Sequence, residues 1–493
     1  MIRLENITYR YSGDSPPALL NVNLEFAPGE SVCVMGANGS GKSTFARLVA
    51  GLLKTQQGRM SVNVGKNVPI PVGLLFQNPD NQMVAVTVQK EIAFALENLG
   101  VSQPDMEKRI NRILLDFSIE HLRRRMTSEL SVGEKQKVAL AALFVFNPPV
   151  LVLDEPDSFL DKAGRELFRR QLEKIKDKTP ELIIIEITQY PQVARQYERL
   201  IVFHNGRVAA DRSPAEILQN KSFCLNCGIE FDFTPAKEIE MPQLSELSNG
   251  NNSNRLEKII FERVSYSYPG SGQNAVSNFS GVINRNEITA IVGPSASGKS
   301  TLSMLMCGIN EPDSGQIRWV GQNSREMNGK AIRGQITAAL QQPERQFFLS
   351  TCEQEVEFGP RNFGRTISRR AIQGLFKMSG LSFEQFYKRD PFTLSLGEKR
   401  RLAFASVLSI FPGFIVFDEP TCSLDREGVG RFILMAQGLK KAGAGVVFIS
   451  HDDEIIKALA DKIILLDGKG NFWSMTGEAY FQETSSSQSP VLK

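Results

Sequence analysis

The chain has 493 residues, room for roughly two to four domains, each with a core of its own. With 42% hydrophobic and 23% charged residues it has the composition of a soluble globular protein, and a net charge of only +3 excludes the strong field of a dedicated nucleic-acid or anionic-bilayer binder. Its six cysteines (Cys33, Cys224, Cys227, Cys307, Cys352, Cys422) are scattered through core-like segments rather than spaced as a disulfide framework, which fits a reducing cytosol.

In chain order, Met1-Ile-Arg-Leu-Glu-Asn6 runs straight into a strand-like pattern, so no secretory signal is expected. The apolar strand Ser31–Met35 ends in Gly36-Ala-Asn-Gly-Ser-Gly-Lys-Ser43, a GxxxxGK[ST] loop leading into a helix. Its glycines let the backbone curl so that N–H groups point at a β-phosphate, and the helix that follows adds its positive end. Lys42 is placed to reach the β- and γ-phosphates, and Ser43 to bind Mg²⁺. Residues 86–145 read as mainly helical. The longest apolar tract, Val138–Leu153, is broken by Asn147-Pro148-Pro149, so it cannot span a bilayer as one helix and any membrane role is peripheral. The strand Val150–Leu153 ends in Asp154-Glu155-Pro156. An acid at the end of an apolar strand is costly without a cation, so Asp154 is expected to hold Mg²⁺ through water and Glu155 to polarise a water as general base. A further buried strand begins near Leu182 and ends in I-E-I-T-Q-Y-P, residues 185–191.

From about 220 to 256 apolar periodicity stops, and Pro235, Pro242 and the polar run Ser248–Asn254 read as a linker. Cys224-Leu-Asn-Cys227 falls there; it lacks the second ligand pair that zinc requires and is expected to be ordinary packing. The earlier order of motifs then recurs. Gly293-Pro-Ser-Ala-Ser-Gly-Lys-Ser300 repeats the loop, Leu340-Gln-Gln-Pro-Glu-Arg-Gln346 repeats Phe76-Gln-Asn-Pro-Asp-Asn-Gln82, Leu394-Ser-Leu-Gly-Glu-Lys399 repeats Leu130-Ser-Val-Gly-Glu-Lys135, and Phe417-Asp-Glu-Pro420 repeats Leu153-Asp-Glu-Pro156. Lys299 follows Lys42 by 257 residues, while Ser395 and Asp418 follow Ser131 and Asp154 by 264. Such a nearly constant offset identifies a tandem duplication. The expected organisation is a domain at 1–219, a linker at 220–256 and a second domain at 257–493, both of α/β class.

Both halves resemble the nucleotide-binding domains of ATP-binding cassette (ABC) proteins, over nearly the whole chain apart from the linker. The resemblance implies two tandem P-loop NTPase domains, each with a mostly parallel core sheet, an N-terminal antiparallel β subdomain and a helical subdomain. Segments 130–134 and 394–398 match the signature L-S-G-G-Q with departures. Ser131, Gly133, Ser395 and Gly397 remain, but Val132 or Leu396 replaces the first glycine and Glu134 or Glu398 the glutamine. Serine and glycine at a helix start offer a hydroxyl and free N–H groups to a γ-phosphate, and the substitutions spare those donors while adding bulk beside them.

In this family two such domains pack head to tail, so the resemblance implies an intrachain pseudo-dimer with two composite ATP and Mg²⁺ sites. Site one would use Tyr11, Gly36, Asn38, Gly39, Gly41, Lys42, Ser43, Thr44, Gln77, Asp154 and Glu155, closed by Ser395 and Gly397. Site two would use Tyr268, Gly293, Ser295, Gly298, Lys299, Ser300, Thr301, Gln341, Asp418 and Glu419, closed by Ser131 and Gly133. The tyrosines would stack on adenine. Gln77 would complete the Mg²⁺ shell of Ser43 and Asp154, and Gln341 that of Ser300 and Asp418. Asp161 and Asp425 fall where the family's D-loop aspartate crosses between domains. His451 matches the switch histidine, which orients the attacking water, whereas site one has Gln189 there; His121 and His204 match no motif. A glutamine amide can donate to phosphate but cannot carry charge or shuttle a proton, so site one is expected to bind ATP and hydrolyse it poorly.

Three branches of the family carry two cassettes in one chain. Fused sugar-importer ATPases usually have a degraded second loop, yet Lys299 and Ser300 are intact here; translation-associated ABC proteins have a charged helical linker, unlike 220–256. The segments after the Q-loops, F-Q-N-P-D-N-Q-M-V with E-I-A-F-A-L-E-N-L-G and Q-Q-P-E-R-Q-F-F with E-V-E-F-G-P-R-N-F-G, are similar to the energy-coupling factor (ECF) importers of vitamins, vitamin precursors such as thiamine's, and metal ions. That resemblance implies a peripheral ATPase on the cytoplasmic face of the cell membrane, with an integral-membrane coupling (T) subunit and a substrate-binding (S) subunit as partners and no nucleic acid. Glu91, Glu97, Glu355 and Glu357 are candidates for acidic contacts to arginines of the T subunit.

Overall fold

A computed structural model describes residues 1–11, 16–63, 72–229, 255–270, 273–321, 326, 332, 334–422 and 424–485. The chain divides into two compact units, Met1–Asp232 and Phe233–Lys493.

In the first unit, β1 (Ile2–Tyr9), β2 (Leu19–Phe26), β3 (Ser31–Met35), β4 (Gln57–Val62), β5 (Val72–Leu75), β6 (Val150–Asp154), β7 (Ile183–Ile187), β8 (Arg199–His204) and β9 (Arg207–Arg212) form two sheets. The small sheet is antiparallel, in the order β2-β1-β4. The large one has the order β5-β6-β7-β3-β8-β9 and is parallel except for β9. The alternation in β2, Leu19, Val22, Leu24 and Phe26 inward with polar residues outward, suits a sheet covered on one face. β6 and β7 are buried along their whole length, as strands covered on both faces must be. The helices Val88–Asn98, Gln103–Asp116 and Val132–Phe144 form the helical part.

The second unit repeats this plan with β10 (Leu256–Ser267), β11 (Asn274–Asn284), β12 (Ile288–Val292), β13 (Ser314–Gly321), β14 (Ile336–Ala339), β15 (Phe414–Asp418), β16 (Gly445–Ile449), β17 (Lys462–Leu466) and β18 (Phe472–Thr476). Its sheets have the orders β11-β10-β13 and β14-β15-β16-β12-β17-β18. Because the chain leaves β3 and returns to β6 and β7 on one side of it, the carboxyl ends of these strands converge, the place where open parallel sheets bind ligands.

The expected linker begins as folded chain. Helices Pro214–Gln219 and Lys221–Asn226 follow one another, and Cys224, Cys227 and Ile229 are buried with Met35 and Leu218. Asn220 supplies the physical reason, accepting from the Phe223 N–H as an N-cap. Residues 230–254 of that linker, including Pro235, Pro242 and the polar run, lie outside the described residues. Among the described residues no helix is long and apolar enough to cross a membrane.

Candidate functional site

Each phosphate-binding loop sits between a buried strand and a helix. In the first unit Gly36, Gly39 and Gly41 have φ of 142°, 76° and 109°, and a Cβ on Gly36 or Gly41 would lie 2.2 Å from the Phe203 carbonyl oxygen or 2.5 Å from that of Ala18. These two positions therefore require glycine. The second loop keeps Gly293 and Gly298, but Ala296 stands at φ 63° where Gly39 stands in the first. Lys42 Nζ donates to the Gly36 and Ala37 carbonyls, 2.8 Å each, and Lys299 Nζ to those of Gly293 and Pro294, at 2.9 and 2.7 Å. Both ammonium groups thus lie inside the curl of their own loop. Exposed Asn38 and half-buried Ser295 lie on the same curl.

Tyr11 and Tyr268 are 56% and 45% exposed, each with its hydroxyl beside a threonine of the helix start, Thr44 at 3.1 Å and Thr301 at 3.2 Å. Each ring packs edge-on against a second tyrosine, Tyr9 or Tyr266, leaving a broad aromatic face at the edge of the loop. Asp154 and Asp418 are buried at the ends of β6 and β15. Burial, then the neighbouring Glu155, pushes the Asp154 carboxyl up to about 6 against a hydrogen bond from Ser43; burial also raises Asp418, against Ser300 and Lys299. A buried carboxylate touching a serine hydroxyl beside a lysine is a hard-oxygen set with few protein donors, the kind that suits Mg²⁺ shared with phosphate.

The two candidate catalytic carboxylates differ in their company. Glu155 and Glu419 both adopt left-handed backbone, φ 51° and 48°, with their N–H groups donating to the Ile187 and Ile449 carbonyls at 3.0 Å. Glu155 Oε1 accepts from Gln189 Nε2 at 2.6 Å, and its Oε2 from Gln77 Nε2 at 2.9 Å and Ser158 Oγ at 3.0 Å. Gln189 also reaches Asn38 Oδ1 at 3.4 Å. Around Glu419 stand His451, with Nε2 at 3.3 Å from Oε1, and the Cys422 thiol at 3.9 Å from Oε2. The structure therefore brings together the loop, the aspartate, the glutamate, the Q-loop glutamine and Gln189 within unit one, and the loop, aspartate, glutamate and His451 within unit two.

Several residues take different partners from those expected. Ser131 and Ser395 are N-caps of the helices Val132–Phe144 and Leu396–Leu408, each in a capping box with Glu134 or Glu398. The Ser131 hydroxyl donates to Glu134 Oε2 at 2.8 Å, so it is not a spare donor: glutamate in place of the family's glutamine supplies the box. Gly133 and Gly397 lie in the first turns of those helices. Asp161 and Asp425 cap the helices Lys162–Lys178 and Arg426–Lys441, and Asp425 also pairs with Arg401 at 2.8 Å. Glu91 and Glu355 are corrections. Both are buried and each accepts two backbone N–H groups, from Val84 and Ala85 at 2.9 and 2.7 Å and from Phe348 and Leu349 at 2.6 Å each, so they tie down their loops rather than face a partner. Glu97 is exposed, and Glu357 pairs with Arg361 at 3.1 Å. His121 is exposed, and His204 lies beside Asn205.

Three features escaped the sequence reading. The Cys227 carbonyl accepts from the Ala37 N–H at 2.9 Å, anchoring the first loop from outside. Buried Glu186 is held bidentately by Arg169, 2.6 Å to each oxygen, and accepts from the Tyr197 hydroxyl; apolar Phe448 and Ile433 stand at the matching places of unit two. Arg400, in the helix after Ser395, is fully buried where unit one has Gln136. The S-x-x-E spacing of the capping boxes was a readable signal; the burial of Glu186 and Arg400 was not.

The profile of the family described as ABC transporter matches residues 19–158 and 276–422. An ABC transporter ATP-binding protein of Bifidobacterium longum, provisionally so named, is 30% identical over 94% of this chain, which spans 64% of that protein's length. A Bacillus subtilis protein provisionally named HMP/thiamine import ATP-binding protein YkoD is 29% identical over 100% of this chain and 94% of its own. Among solved structures, the complex of archaeal ribosomal stalk protein aP1 with ribosome recycling factor aABCE1 aligns over 97% of this chain and 92% of that chain with TM-score 0.63 at 18% identity, a likeness of fold.

Proposed function

The chain belongs to the ABC transporter family and is an ATP-binding ATPase, and on that premise we propose that it is the energy-coupling subunit of an ECF-type importer for a vitamin, vitamin precursor or metal ion. The observation that carries this reading is a set of exposed large apolar side chains in the segment that follows each Q-loop. Val84, Val86, Phe94 and Met126 in the first unit, and Phe348, Phe363 and Phe392 in the second, are large apolar side chains 40–64% exposed on or beside the helical part. Such surface suits a membrane subunit's cytoplasmic helices, with Glu97 and Glu357 left as the acidic contacts. The import name of the Bacillus relative supports the same direction.

In this proposal the halves close head to tail on two ATP molecules. On that closure Ser395 and Gly397 would complete site one, Ser131 and Gly133 would complete site two, and Asp161 and Asp425 would be the D-loop aspartates between the halves. Ser43, Asp154 and Gln77, and Ser300, Asp418 and Gln341, would hold Mg²⁺, which supplies charge neutralisation of the β- and γ-phosphates. Lys42 and Lys299 turn from their loop carbonyls to phosphate oxygens. Glu419 takes the proton of the attacking water while His451 orients it. In site one both oxygens of Glu155 already accept from amides and a hydroxyl, which occupies the carboxylate that would meet the attacking water, so site one mainly holds ATP. The protein would sit at the cytoplasmic face of the cell membrane through its T and S partners. Purification in detergent should recover a small integral-membrane protein with the chain. Co-sedimentation with ribosomes and no membrane partner would overturn the transporter reading in favour of a translation-associated role.

A further inference from the structure

Arg400 is 2% exposed, in the fifth position after the capping Ser395, and it is the largest of the fully buried side chains among the described residues. Isolated guanidinium groups are not buried without strong compensation. Its compensation is main-chain: NH1 donates to the carbonyl of Glu419 and NH2 to the carbonyl of Gln341, at 2.8 Å for the latter. One side chain of the signature helix therefore holds two peptides, that of the candidate general base and that of the Q-loop glutamine. The matching residue of unit one, Gln136, is equally buried but donates to the Pro156 carbonyl at 2.8 Å, one peptide beyond Glu155. Burial lowers the Arg400 guanidinium from its ordinary value, and Cys422, Glu419, Asp418 and Glu344 around it oppose that by favouring the charged form.

We propose that Arg400 is a positioning residue for hydrolysis at site two, fixing the backbone of Glu419 and Gln341 to the helix that begins at Ser395. A planar fork can span two carbonyls at once; a glutamine amide in the same place cannot reproduce both bonds in that geometry. Glu419 is already held in left-handed backbone at φ 48°, so a tie at its carbonyl governs where the carboxylate points. The inference rests on the reading of Glu419 as the general base.

The test compares Arg400→Gln, Arg400→Lys and Glu419→Gln in the full chain, with thermal unfolding alongside ATPase kinetics. Arg400→Gln copies unit one; its kcat should fall about tenfold, as misplaced catalytic groups do, with KM for ATP within about twofold of wild type. Arg400→Lys keeps charge and length but offers one compact donor group, and should recover only part of kcat. Wild-type kcat in the folded Arg400→Gln protein overturns the proposal, as does a raised KM with kcat unchanged. If Arg400→Gln does not fold, Arg400→Lys decides, since wild-type kcat there contradicts positioning by two bonds. Wild-type turnover in Glu419→Gln removes the base reading and this inference with it; loss there with Arg400→Gln unaffected removes the inference alone.

Discussion

Glu155 and Glu419 follow equivalent strands with the same backbone, yet they live among different groups. Glu155 accepts from two amides and a hydroxyl; Glu419 has an imidazole, a thiol and, behind its peptide, the buried Arg400. Neutral oxygen and nitrogen donors stabilise a carboxylate in place. An imidazole beside it can share or carry a proton. A duplicated chain can thus keep two complete sets of motifs while tuning one toward holding nucleotide and the other toward turning it over.

The largest break of that comparison is removal of each base in turn. Glu419→Gln should lower steady-state turnover about a hundredfold, the lower range for loss of a general base, while Glu155→Gln should cost less than about threefold. Equal losses would make the sites equivalent. A second effect follows from Asp154, whose carboxyl is raised to about 6 chiefly by burial and then by Glu155. The form proposed to hold Mg²⁺ is the carboxylate, present above that value and lost as pH falls through it. Mg²⁺-dependent binding of a fluorescent ATP analogue should therefore weaken severalfold between about pH 7 and pH 5.5. The smallest expected change sharpens the comparison. Gln189→His should raise site-one turnover by less than about threefold, because Gln77 and Ser158 still occupy Glu155; adding Ser158→Cys should raise it further, measured in a Glu419→Gln background.

What was legible in the sequence was what short spacing dictates. The two phosphate loops, the acid pairs at strand ends and the order of repeats are local patterns whose chemistry depends on neighbours in the chain. The swap of His451 for Gln189 was legible for the same reason. What was hidden depends on burial that only tertiary packing creates. Glu91 near the start of the helix Val88–Asn98 reads as an acidic contact for a partner, yet the loop before it folds back so that the N–H groups of Val84 and Ala85 meet its carboxylate. Arg400 reads as another charge in a charged turn, and its two carbonyl partners lie 19 and 59 residues away. The first residues of the expected linker gave no periodicity because the one short helix there, Lys221–Asn226, buries only Cys224.

The asymmetry is tested most directly by rapid-quench single turnover on the chain with both sites loaded with ATP. The account predicts one equivalent of ADP per chain in a fast phase, with the second equivalent remaining as ATP over many of those half-lives. Two equivalents released in a single phase would contradict it.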